Sequence, residues 1–131
     1  MKNCKTFFIA DDDPDDRELF IEALKEIDNS SICVTAPNGQ DALQQLQNGL
    51  TVLPDFIFLD LNMPLLSGTE CLAEIKKNRD LQHVPVIIYS TSAEDRDIEK
   101  TTILGAAFFL QKPNRFDDLC KALSAILSKN W

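Results

Sequence analysis

A chain of 131 residues that is 44% hydrophobic and 26% charged is ordinary for one compact domain built on one core. Its formal net charge of -8 argues against nucleic acid as a direct partner, because phosphate binding relies on clustered Lys and Arg. No apolar run reaches the eighteen or so residues of a membrane span, and no long apolar stretch follows Lys2 and Lys5, so neither a membrane anchor nor a signal peptide is expected.

Apolar strand-like runs alternate with helix-period stretches five times, the pattern of βαβ units around a parallel sheet and thus of an α/β domain. The first expected strand, Thr6 to Ala10, runs into Asp11-Asp12-Asp13-Pro14-Asp15-Asp16. Asp13 suits an N-cap with Pro14 at the first helical position, and Asp15 and Asp16 complement the positive end of the helix dipole. Helix capping leaves Asp11 and Asp12 unexplained: two adjacent carboxylates at a strand end repel unless a cation lies between them. Leu19, Phe20, Ala23, Leu24 and Ile27 then form a core-facing helical stripe.

Ile32 to Ala36 is the second expected strand, and Asn38-Gly39 opens a second helix. The third strand, Asp55 to Leu59, ends on a lone Asp60, after which Asn62-Met63-Pro64 turns the chain and Ser67-Gly68 begins another helix. Lys76, Lys77 and Arg79 form the one basic cluster and read as a solvated helix end. His83 lies just before the fourth strand, Val84 to Tyr89, and has no neighbouring metal-ligand partner. Ser90 follows that strand, where it could be a turn or cap residue or a hydroxyl donor. The fifth strand, Ala107 to Leu110, leads to Lys112-Pro113, and a final helix with Phe116, Leu119, Leu123, Ile126 and Leu127 on its apolar stripe runs to Trp131. The third and fourth strands are nearly unbroken apolar, as expected of strands covered on both faces. Cys4, Cys33, Cys71 and Cys120 are widely spaced within or beside apolar segments, fitting reduced thiols and a cytoplasmic location.

In such a sheet the carboxyl ends of neighbouring strands converge on one crevice. Asp11, Asp12, Asp60 and Lys112 would therefore meet there. Paired carboxylates offer the hard oxygen ligands that suit Mg²⁺, Asp60 can act as a nucleophile toward phosphorus, and Lys112 supplies a point charge for a phosphoryl oxygen.

These positions, Ile9-Ala10-Asp11-Asp12-Asp13-Pro14, Leu59-Asp60-Leu61-Asn62-Met63-Pro64 with Gly68, Pro85-Val86 leading to Ser90, Gly105-Ala106, and Lys112-Pro113, resemble the receiver domain of two-component response regulators over essentially the whole chain. Residues 13 to 20 and the Asp60 to Pro64 stretch are also similar to single-domain receivers related to phytochrome-associated regulators. The resemblance implies a flavodoxin-like (βα)5 sandwich with a five-stranded parallel sheet of order 2-1-3-4-5, and one receiver domain over residues 1–131 with no output domain. It makes Asp60 the phosphoacceptor and Asp11, Asp12, Asp60 and the Asn62 backbone carbonyl the Mg²⁺ ligands. Ser90 and Lys112 contact the phosphoryl group, Ser90 and Phe109 form the switch, and Lys112-Pro113 is a candidate cis peptide. Phe109 departs from the tyrosine frequent in the family. The implied partner is a sensor histidine kinase or phosphotransfer protein, with an unidentified protein target and a monomer or phosphorylation-linked homodimer. Two other readings share the residues: a Mg²⁺-dependent phosphohydrolase with an aspartyl nucleophile, which would need a second carboxylate where Asn62 stands, and a protein-binding module independent of phosphorylation.

Overall fold

The computed structural model describes residues 5–49 and 53–129. Cys4, Asn130 and Trp131 lie outside the described residues, and the last helix, expected to run to Trp131, already ends at Ser128, where Lys129 turns extended. The elements follow in strict alternation: β1 (Thr6–Ala10), α1 (Pro14–Ile27), β2 (Ile32–Ala36), α2 (Gly39–Gln44, continued by a π-helical turn over Gln45–Gly49), β3 (Phe56–Leu59), α3 (Gly68–Lys77), β4 (Val86–Ser90), α4 (Asp95–Ile103), β5 (Phe108–Gln111) and α5 (Phe116–Ser128). All pairings are parallel, and the sheet order is β2-β1-β3-β4-β5.

The period of two along each strand divides the core into two layers. Phe8, Ala10, Ile57, Leu59, Val86 and Ile88 face Ala42, Cys71, Leu72 and Ile75 from α2 and α3. Phe7, Ile9, Phe56, Phe58, Ile87 and Tyr89 face Phe20, Ala23 and Leu24 of α1 and Leu119, Leu123 and Ile126 of α5. On this second side the rings interlock, with Phe20 edge-on to Phe58 at 4.8 Å between centroids and tilted against Tyr89 at 5.7 Å. Full burial of one such side chain stabilises the fold by roughly 1.5–3 kcal/mol. β1, β3 and β4 are buried throughout, whereas edge strands β2 and β5 are mostly half-exposed.

The helix starts follow the chemistry of their first residues. Asp13 accepts from the main-chain N–H of Asp15 and Asp16, Asn38 from that of Asp41, and Ser67 forms a reciprocal capping box with Glu70. The strand limits shift by one or two residues from expectation. β3 starts at Phe56 because Asp55 is occupied as a clamp, its main-chain N–H donating to Thr6 O and its carboxylate accepting from Thr6 N. β4 starts at Val86, after a turn in which Val84 N donates to Leu81 O, and reaches Ser90, paired with Gln111. The apolar stripes need a correction at one end: Leu19 and Phe116 are exposed, not core. Phe116 is the first residue of α5 and Leu19 lies in the second turn of α1, both toward the helix starts at the sheet's carboxyl edge.

Two backbone positions fix the loop after β3. Leu65 adopts φ 71°, a left-handed conformation that costs a leucine about 1–2 kcal/mol. Gly68, the first residue of α3, donates its N–H to Leu61 O, and a Cβ there would collide with the Asp60 carbonyl. Gly68→Ala must therefore push α3 off the main chain of residue 60. It should cost about 3 kcal/mol or more of unfolding free energy, read from the urea midpoint.

Candidate functional site at the carboxyl edge of the sheet

β1 and β3 are neighbours in register, Ala10 opposite Leu59, so Asp11 and Asp60 leave the sheet side by side. Each is tied down by the main chain. Asp11 N donates to Ala36 O and Asp60 N to Ala10 O, while Asp11 Oδ1 accepts from Asp13 N at 3.0 Å and Asp60 Oδ1 from Asn62 N at 3.2 Å. Arg17 adds a 2.6 Å hydrogen bond to Asp11 O. Asp11 is fully buried, Asp60 nearly so, and Asp12 exposed. One oxygen of each lies within 4.8 Å of the others. The sequence-based expectation of a triple-carboxylate cluster therefore holds geometrically.

Lys112 reaches this cluster from the end of β5, its N–H fixed to Ser90 O at 2.7 Å. Its ammonium lies 2.8 Å from Asp11 Oδ2, 2.8 Å from Asp16 Oδ2 and 3.4 Å from Asp60 Oδ2. The contacts with Asp16 and Asp60 are hydrogen bonds. The contact with Asp11 is close but misaligned, so Asp11 Oδ2 has an ionic neighbour and no hydrogen bond. Ser90 ends β4 fully buried with its Oγ lacking any hydrogen-bond partner. Leaving a buried hydroxyl unpaired costs about 1–3 kcal/mol, which makes it a group built for something else to bind.

The lysine lies trans to Pro113: the described residues contain no cis peptide bond, which corrects the expected cis Lys112-Pro113. An X-Pro bond still prefers trans by about 0.5–1 kcal/mol, and in this arrangement the ammonium reaches the carboxylates without cis geometry. Phe109 is half-buried, packed with Leu104 and Ala106 against the α2–α3 side of the core. Asn62 is exposed, and so is His83.

The electrostatics are those of excess negative charge confined near one ammonium. Burial raises Asp60, the nearby Lys112 lowers it and Asp11 raises it again, leaving its carboxyl pushed up to about 6. Burial would depress Lys112, yet the carboxylates of Asp11 and Asp16 outweigh it and hold the ammonium above its ordinary range. Two unit charges ~4 Å apart repel by about 4 kcal/mol at an effective dielectric near 20, and a dication reverses that sign. All-oxygen donors, a buried carboxylate oxygen without a hydrogen bond and a third, exposed carboxylate fit a hard divalent ion that keeps some of its water. Two contributors were missed by reading the sequence. Asp16 passes as a first-turn helix acid, and Tyr89 as a core strand residue, yet its ring lies 5.3 Å from the Lys112 ammonium. The one signal available for Asp16 was its place at the start of α1, directly beside the crevice.

Among the described residues, no helix is long and apolar enough to cross a membrane, and Cys33, Cys71 and Cys120 are free thiols. Burial pushes Cys33 and Cys71 up to about 12, so both act as packing groups.

Comparison with known proteins gives a consistent picture. Residues 7–124 match the family described as response regulator receiver domain. The chain is 32% identical over 128 residues to response regulator Rcp1 of Synechocystis sp., covering 95% of this chain and 87% of that protein. It is 31% identical to a protein-glutamate methylesterase/protein-glutamine glutaminase of Clostridium acetobutylicum, of which it spans 36%. Among solved structures it resembles the phosphorylated cyanobacterial phytochrome response regulator RcpA, with a TM-score of 0.87, 31% identity and coverage of 97% of this chain and 96% of that one. The Mn²⁺-bound form of Rcp1 matches with a TM-score of 0.83, 32% identity and coverage of 95% and 92%.

Proposed function

The chain belongs to the response regulator receiver domain family of two-component signal transduction, and on that premise we propose that Asp60 is its phosphoryl acceptor. The observation that supports this most is the buried, unpaired Ser90 hydroxyl at the end of β4, in the crevice where Lys112 and Asp60 already meet. Such a pair, a hydroxyl donor and an ammonium, matches the oxygens that a phosphoryl group on Asp60 would present.

The donor is a phosphohistidine on a sensor histidine kinase or phosphotransfer protein. Asp60 attacks phosphorus in line, the new P–O bond forming as the P–N bond to imidazole breaks, and the imidazole leaves with the electron pair. Asn62 N–H holds one Asp60 oxygen and so aims the other. Lys112 neutralises charge on the transferring group, and Ser90 O–H donates to it once it is seated. Receiver domains bind Mg²⁺ or Mn²⁺ at an acidic pocket. Here Asp11, Asp12, Asp60 and the Asn62 carbonyl would hold Mg²⁺, which supplies charge neutralisation for the phosphoryl oxygens. When Ser90 turns toward the phosphoryl group, Phe109 gains room to move inward from its half-buried place, and the α4-β5-α5 face changes shape. The downstream partner is a protein that reads this face, in the cytoplasm, with the domain either monomeric or paired through the same face when phosphorylated.

The test is chemical. After incubation with a small acyl-phosphate donor and Mg²⁺, borohydride reduction and peptide mass spectrometry should place the acyl phosphate on residue 60. Label at Asp11 or Asp12, or no label, would end this reading.

A further inference from the structure

Lys112 is held by more than its proposed task requires. Asp16 accepts its hydrogen bond at 2.8 Å, closer than Asp60 at 3.4 Å, and the Tyr89 ring backs the ammonium at 5.3 Å from its centroid. The lysine side chain is 8% exposed and that of Asp16 29%, so water screens this pair less than it screens a surface ion pair. A first-turn acid complements the dipole of α1 whichever way it points, so the helix start does not account for the Asp16 carboxylate's turning in to Lys112.

Building on the acceptor reading above, we infer that Asp16 is a positioning residue that holds the Lys112 ammonium toward α1, leaving it only a long 3.4 Å contact with Asp60, and thereby slows phosphoryl uptake. Of the three carboxylates around the ammonium, Asp11 and Asp60 belong to the cluster that suits a divalent ion, whereas Asp16 does not. When a metal draws on Asp11 and Asp60, the hold of Asp16 remains. For Lys112 to bind a phosphoryl oxygen on Asp60, the ammonium that now serves both carboxylates must give up part of its shorter bond to Asp16. The Tyr89 ring, on β4 next to Ser90, favours the parked position through its attraction for the cation. The same contact releases Lys112 only when a stronger anion than Asp60 itself, the doubly charged phosphoryl group, arrives.

Asp16→Asn tests this against Asp15→Asn, which removes an equal charge from the same helix turn but lies away from the lysine. In the metal-free protein, the ¹H–¹⁵N signal of the Lys112 ammonium should persist in the parent and in Asp15→Asn, and broaden or vanish in Asp16→Asn. With saturating Mg²⁺ and a small acyl-phosphate donor, uptake should rise on the order of fivefold in Asp16→Asn. It should be unchanged in Asp15→Asn and fall back toward the parent rate in Asp16→Glu. An intact ammonium signal in Asp16→Asn, or uptake that is unchanged or slower, overturns the inference while leaving Asp60 as acceptor. A parent protein that takes up no phosphoryl group overturns the acceptor reading first, and the kinetic role of Asp16 with it.

Discussion

Asp60→Asn is expected to take up no phosphoryl group from an acyl-phosphate donor, and in the same experiment to unfold at a higher denaturant concentration than the parent at pH 7.5. The first effect follows from losing the nucleophile, since an amide oxygen cannot form a stable acyl phosphate. The second follows from the electrostatics. A carboxyl at about 6 in the folded protein, against an ordinary 3.8, binds its proton more tightly folded than unfolded. Its ionisation therefore costs no stability below about pH 4, costs progressively more as pH rises from 4 to 6, and costs the full amount above 6. Allowing for the solvent that still reaches the carboxylate, that amount is about 1–2 kcal/mol. Asparagine keeps the shape and can still accept from Asn62 N–H but adds no charge beside the buried Asp11. Urea unfolding of both proteins from pH 4 to 8 measures it. The stability gain should be present at pH 7.5 and gone by pH 4, and added Mg²⁺ should narrow it by stabilising the parent. A gain independent of pH would mean that packing, not charge, separates the two.

This coupling of strain and chemistry explains which parts of the molecule were legible in the amino-acid order. The β1, β3 and β4 runs, Phe7-Phe8-Ile9-Ala10, Phe56-Ile57-Phe58-Leu59 and Val86-Ile87-Ile88-Tyr89, are apolar on both faces, and only a doubly covered parallel sheet buries both. Because strand ends are marked by where the apolar run stops, Asp11 and Asp60 could be placed at the carboxyl edge, and Lys112 with them. Long-range pairing was less visible. Asp16 is 96 residues from Lys112, and nothing in a local pattern distinguishes a helix-start carboxylate that faces solvent from one that turns into a crevice. Leu19 and Phe116 fit the helical period yet lie outside the core, since periodicity gives a face but not where along the helix the neighbouring sheet ends. The trans Lys112-Pro113 bond was hidden because resemblance supplies a habit of the family and not the local balance of an X-Pro peptide. Ser90 shows the limit most plainly. The strand pattern put it at the edge, but its orphaned hydroxyl, the strongest sign of a missing ligand, exists only in three dimensions.

Lys112→Ala should produce the largest combined loss, in stability and in phosphoryl uptake together. Removing one partner from a buried ionic group leaves the others uncompensated, at a cost of about 3–5 kcal/mol. Asp11 would be left buried beside Asp60 without the ammonium that contacts both carboxylates, and Asp60 would be driven above its already raised value. The lysine itself is held above its ordinary range, so its stabilising contribution is fully present below pH 10.5 and disappears only above that value. Between pH 5 and 8 the ammonium does not change, and the pH dependence of the loss comes from Asp60. At pH 7.5, well above the value of about 6 that Asp60 has in the parent, the loss is largest. As pH falls, Asp60 takes up its proton first in the variant and then, through about 6, in the parent, whose ion pair weakens, and the difference between parent and variant shrinks. Mg²⁺ should shrink it in the same way at pH 7.5, because a dication among Asp11, Asp12 and Asp60 substitutes for the missing charge. Uptake from an acyl-phosphate donor should still fall, by about 10²-fold, since removing one preorganised group that stabilises transition-state charge costs that much in comparable sites. Urea titrations at pH 7.5 and 5 with and without Mg²⁺, beside a phosphorylation time course, separate these effects. A stability loss equal under all four conditions would reduce Lys112 to a packing residue, and unimpaired uptake would remove it from the transfer step.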